Sequence, residues 1–129
     1  MEEQTETKFP TADLTVFLFK KLILIKTERV REGDVFIHIF GFRWKPEATD
    51  ADKARAAHDI LAFRNHVLGL IDAQVGSNVS PRGRGYAFAG VMRFADRAAC
   101  GAYTTHPAHL ALLEWLVPLI EPVELDFEA

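Results

Sequence analysis

Cysteine is almost missing from this chain: Cys100 is the only one in 129 residues. A lone thiol excludes an intrachain disulfide and a zinc site built on cysteine sulfurs. A surplus of either charge is missing too. Lys and Arg number 15 against 18 Asp and Glu, a formal net charge of -3, so nothing in bulk drives the chain toward nucleic acid or an anionic membrane. Long apolar runs are absent. The stretch from Leu14 to Ile25 is interrupted by Lys20 and Lys21 and falls short of the roughly 20 residues that span a bilayer. The N-terminus MEEQTETKFP is acidic, where a secretory leader is basic. These absences lead to the expectation of a cytoplasmic protein with no nucleic-acid partner and no membrane partner.

What is present suits one ordinary globular domain, with 49% hydrophobic and 26% charged residues. No internal repeat or low-complexity linker breaks it. Residues 1–33 read as an N-terminal extension, a strand or helix added at a sheet edge, and residues 34–129 as the domain. VFIHIFGFRW, from Val35, is dense in β-branched and aromatic residues and predicts a strand. Phe36, His38, Phe40 and Phe42 share one of its faces. Both faces are apolar, so both must be covered. Thr49 predicts an N-cap, with Asp50 and Asp52 in the first turn of a helix running to about Phe63. Ala54, Ala57, Ile60 and Leu61 are expected to face inward from it. LIDAQVGSNV and YAFAGVMRF predict two more strands. Asp96 caps a short helix, and Thr105 or His106 a second, with Pro107 at its first position, where the missing N–H costs nothing. Leu110, Leu113, Val117 and Ile120 would form that helix's core stripe, and Pro118 would kink or end it. PVELDFE closes the chain as a strand, with Val123, Leu125 and Phe127 expected inward. The order β-α-β-β-α-α-β is the ferredoxin-like α+β plan, an antiparallel sheet with helices on one face. The uncovered second face predicts a homodimer.

HIFGFRWKPEATDADK, VGSNVSPRGRGYAF and YTTHPAHLALLEWLVPLIEPVELDFE together resemble the stress-responsive A/B barrel (Dabb) family over about residues 35–128. The resemblance implies a dimeric α+β barrel. One branch of that family, the olivetolic acid cyclase type, closes linear polyketides without a cofactor. The resemblance to it implies an acid/base pair at Tyr103 and His109, with His38 in the same pocket. This chain carries Ile60 and Phe88 where that branch has a tyrosine and a histidine.

The candidate pocket lies between sheet and helices, lined by Phe36, His38, Phe40, Tyr103, His106 and His109, and would take a small apolar, aromatic or polyketide-like ligand. His109 falls at the third position of its helix, where the positive end of the helix dipole disfavours imidazolium and leaves a neutral ring able to accept a proton. Tyr103 could donate its O–H to a developing enolate. The competing reading makes both side chains structural, bonding free backbone groups at a helix start. As a metal clip, His106 and His109 supply two ligands and His38 at most a third, with no carboxylate in the motif, so neither metal nor cofactor is expected. GSNVSPRGRG lacks the Lys-Ser/Thr of a phosphate-binding loop and predicts a connection between strands. Three functions stay open: a ligand-binding homodimer, a cofactor-free cyclase or isomerase, and a structural oligomer.

Overall fold

The computed structural model describes residues 35–129; the extension expected over residues 1–33 lies outside the described residues. Strand β1, Phe36–Trp44, is followed by helix α1, Asp50–Ala62, and a 3-10 turn, Phe63–Asn65. Strands β2, Leu70–Ser77, and β3, Phe88–Phe94, come next. Helices α2, Arg97–Thr104, and α3, Pro107–Leu116, follow, then a 3-10 turn, Val117–Leu119, and strand β4, Ile120–Glu128. The order is the β-α-β-β-α-α-β that the sequence predicts. The strands form one sheet in the order β2-β3-β1-β4, every neighbouring pair antiparallel. No described helix is long and apolar enough to cross a membrane.

Each helix starts where the sequence places a cap. The Thr49 hydroxyl accepts from the Asp52 N–H at 3.0 Å and the Asp52 carboxylate accepts from the Thr49 N–H at 2.9 Å, a reciprocal capping box. That backbone hydrogen bond from Thr49 also holds the Asp52 carboxyl below its ordinary range. The Asp96 carboxylate accepts from the Ala99 N–H at 2.8 Å and starts α2. His106 caps α3, with Pro107 in the first turn.

The core lies between the helices and one sheet face. Phe94, Ile60, Met92 and Leu116 are its largest fully enclosed side chains, each worth roughly 1.5–3 kcal/mol relative to exposure. Three inward stripes differ from expectation. On α1, Ala56 and Ile60 are buried while Ala54 is exposed. On α3, Leu112 and Leu116 are buried, whereas Leu110 and the following Val117 are each 51% exposed. The helix is apolar almost all round, so periodicity alone could not choose its inner face.

The third correction matters most for function. Residues directly opposite each other on antiparallel strands point to the same face. Ile37 pairs with Phe127, Ile39 with Leu125 and Gly41 with Val123. Val123, Leu125 and Phe127 therefore face away from the helices, with 37%, 60% and 49% of their surface exposed. The helix side of β4 is carried instead by Pro122, Glu124, Asp126 and Glu128, opposite Phe42, Phe40, His38 and Phe36. Because β4 is an edge strand, these carboxylates reach solvent.

Candidate functional site

The site forms where the inner face of β1 meets the α2–α3 junction. Tyr103 is in the last turn of α2 and is 5% exposed. Its ring packs edge-on against Phe63, centroids 5.4 Å apart, and against Phe94 at 5.3 Å. Pro107 begins the next helix at once, and this brings His109 over Tyr103 with ring centroids 4.2 Å apart. Burial pushes the Tyr103 phenol far above its ordinary value, with the nearby Cys100 thiol and Glu124 carboxylate adding to the effect. The hydroxyl therefore stays a donor at any physiological pH.

The backbone settles the tautomers of both histidines in the HPAH motif. His109 Nδ1 lies 3.0 Å from the Thr104 carbonyl oxygen, which can only accept, so Nδ1 carries the proton and Nε2 is left with a free lone pair. Burial lowers the His109 pKa, helped by the nearby His38 and His106 and opposed by the Thr104 bond and by Glu124. His106 does the reverse: its Nδ1 accepts from the Ala108 N–H at 3.1 Å, so its second nitrogen carries the proton. One histidine of the motif thus caps the helix, and the other keeps a basic nitrogen.

His38 is buried to 9% exposure and donates through Nδ1 to Asp126 Oδ1 at 2.6 Å, across the β1–β4 register. Its ring centroid is 5.5 Å from that of Phe40 and 6.3 Å from that of Tyr103. The carboxylate fixes the ring's orientation and leaves its other nitrogen for the pocket. Cys100 offers no competing nucleophile: burial pushes its thiol up to about 11, and a protonated thiol is unreactive.

A cavity of about 170 Å³, partly open to solvent, lies among these groups. His38, Phe40, Tyr103 and His109 line it, joined by Ile60 and Glu124. Phe36 and His106, also expected there, do not line it. Phe36 lies farther along β1, opposite Phe94 and under the Arg97 guanidinium, and His106 is occupied at the helix cap. Glu124 and Asp126 were missed from sequence. The signal was present: in PVELDFE the acids alternate with the apolar residues, so one face of that strand had to carry carboxylates.

Donor atoms of His38, Glu124 and Asp126 all lie within 4.8 Å of one another, so these three are the described residues that could hold a divalent cation. Exposed acids commonly stand this close with no ion between them. His106 and His109, the pair weighed as a metal clip from sequence, both spend Nδ1 on the backbone.

The family described as Stress responsive A/B Barrel Domain matches residues 36–129. No curated protein is similar enough to count as a relative. Among solved structures, a hydroxynitrile lyase from Passiflora edulis is similar with a TM-score of 0.69 at 18% identity, covering 75% of this chain and 94% of the lyase. A dimeric ferredoxin-like protein of unknown function from Thermobifida fusca gives 0.67 at 23% identity, over 75% and 92% of the two chains. A Dabb family protein with a ferredoxin-like fold from Mesorhizobium loti gives 0.64 at 26% identity, over 74% and 96%.

Proposed function

We propose, for this chain that belongs to the stress-responsive A/B barrel family, a cofactor-free acid/base function exercised by a homodimer. A small apolar or aromatic molecule with a carbonyl or comparable group enters the cavity. His109 Nε2 takes a proton from the carbon beside that group, and the Tyr103 O–H steadies the negative charge that develops on oxygen. His38, oriented by Asp126, is a second group able to return or relay the proton. The observation that carries this reading is the His109 tautomer. A half-buried ring whose Nδ1–H is spent on the Thr104 carbonyl keeps a basic nitrogen beside a phenol that stays protonated.

The cavity size narrows the ligand. An apolar cavity of about 150 Å³ is known to accept benzene, so about 170 Å³ favours one ring over a complete linear polyketide. A purely structural oligomer gives no reason to place two histidines and a phenol around empty space. That reading would regain ground if the following test failed.

Acetophenone has one ring, a carbonyl and exchangeable methyl protons. In D2O the protein is expected to accelerate deuterium uptake at that methyl above the buffer rate, as followed by proton NMR. The rate should be flat near neutral pH and fall as the solution is acidified below about 6.5, the ordinary histidine value. The sign follows from burial: the His109 pKa is lowered, so its base form is complete above that value and is lost only below it. Exchange no faster than buffer would end the acid/base reading.

The homodimer rests on the sheet face that the helices leave open, which carries Val123, Leu125 and Phe127. Obligate interfaces usually bury more than about 2,000 Å² and are apolar. Light scattering at micromolar concentration should give twice the chain mass, and Leu125→Lys with Phe127→Lys should give the monomer. A wild-type monomer would overturn the assembly.

A further inference from the structure

We infer that Glu124 makes the cavity select by charge, admitting neutral ring-sized molecules and rejecting carboxylates of the same shape. This deepens the function proposed above and rests on the same cavity.

β4 carries four carboxylates, Glu124, Asp126 and Glu128 on the helix side and Glu121 on the other face, and three of them are matched. Glu121 faces Arg43 at 3.7 Å, Asp126 is bonded to His38 at 2.6 Å and Glu128 meets Arg97 at 3.3 Å. Glu124 has no cationic partner among the described residues, and it is the one acid that lines the cavity. Its oxygen lies within 4.8 Å of both the His38 ring nitrogen and an Asp126 oxygen. No described Lys or Arg lines the cavity. The other polar groups there are His38, Tyr103 and His109, and burial favours the neutral form of His109.

Two effects then act against an anionic ligand. A carboxylate entering the apolar space loses its water without gaining a cation, and at the mouth it meets the like charge of Glu124, an exposed side chain whose repulsion solvent screens in part. A neutral amide or ketone of the same outline meets neither penalty. It can accept from the Tyr103 O–H, and an amide N–H₂ can donate to Glu124. A hydrophobic wall alone also disfavours the anion through its lost hydration, so the part of the preference that belongs to Glu124 is the part a substitution there removes.

Benzamide and benzoate are matched in shape and differ in charge. Each would be titrated into the full chain at pH 8 with EDTA present, so that no cation sits on the three-donor group, and binding would be read from NMR shifts of the His109 and Tyr103 rings. Benzamide should bind at least ten-fold more tightly than benzoate. Glu124→Gln should cut that ratio several-fold by strengthening benzoate binding, and Glu124→Lys should reverse the preference. Equal binding of both probes by the wild type, or a ratio that neither substitution moves, would overturn the charge gate while leaving the pocket standing. If neither probe binds, the pocket reading and the gate fall together.

Discussion

His109→Ala is expected to slow acetophenone deuterium exchange by about 10²- to 10⁴-fold, the range that one positioned general base contributes. The chain should still fold. His109 is only partly buried, at the second turn-start of the helical pair, and the helix is held by Leu112 and Leu116 and capped by His106 rather than by His109. The substitution removes one bond to the Thr104 carbonyl and part of the cover over Tyr103, a cost of about 1–2 kcal/mol. Rate and stability therefore separate: the dimer mass and the folded spectrum should persist while exchange is lost. Tyr103→Phe gives a second reading of the same site. It keeps the ring packed against Phe63 and Phe94 and deletes only the donor, so exchange should fall while the pH at which the rate declines stays with His109. If His109→Ala unfolds the chain, the motif is a helix-start device and the acid/base assignment fails. If it folds and exchanges at the wild-type rate, the base lies elsewhere.

The same histidine should leave a mark on stability. Its folded pKa is lowered, chiefly by burial, so below about pH 6.5 the unfolded chain takes up more protons than the folded one. Stability contributed by the neutral ring is complete above that pH and is lost on acidification.

Much of this was legible in the sequence because several local signals agreed. Thr49, Asp96 and Pro107 mark helix starts by rules that depend on a few neighbouring atoms, and each helix begins where they place it. The pocket residues His38, Phe40, Tyr103 and His109 share a cavity: strand alternation puts His38 and Phe40 on one face, and the pairing of Tyr103 with His109 in that pocket was implied by the family resemblance. What could not be read was which side of an alternating strand faces which neighbour. PVELDFE shows its period plainly, yet its face is set by register with β1, a long-range pairing, so the apolar residues went to the outer face and the acids to the site. The α3 stripe failed for the opposite reason. A helix apolar almost all round carries little phase, and only packing into the core shared with Ile60 and Phe63 could choose Leu112 and Leu116 over Leu110.

Gly90 is the clearest case of a residue whose importance only the folded sheet reveals, and Gly90→Val should be the most damaging single change to the cavity wall. Gly90 pairs directly with Phe40 across β1 and β3, and a Cβ built there would overlap the tip of the Phe40 ring, with even the more distant Cε1 only 2.9 Å away. The ring has little freedom to retreat. It stacks on Phe42 at 5.5 Å along the strand one way and meets the tilted ring of His38 at 5.5 Å the other, and the space left to it is the cavity itself. Valine's better strand propensity returns at most about 1 kcal/mol, whereas overpacking a close-packed core costs about 1–3 kcal/mol and sometimes more. The clash wins. A net loss of about 2 kcal/mol is expected by urea denaturation, together with loss of benzamide binding as Phe40 fills the pocket. Gly101→Ala is the contrast. That glycine lies in α2 with nothing within 4 Å of a built Cβ, so alanine should stabilise the chain by about 0.5–1 kcal/mol through helix propensity. Should Gly90→Val keep both wild-type stability and benzamide affinity, Phe40 does not rest on Gly90, and the wall assigned to this cavity is wrong.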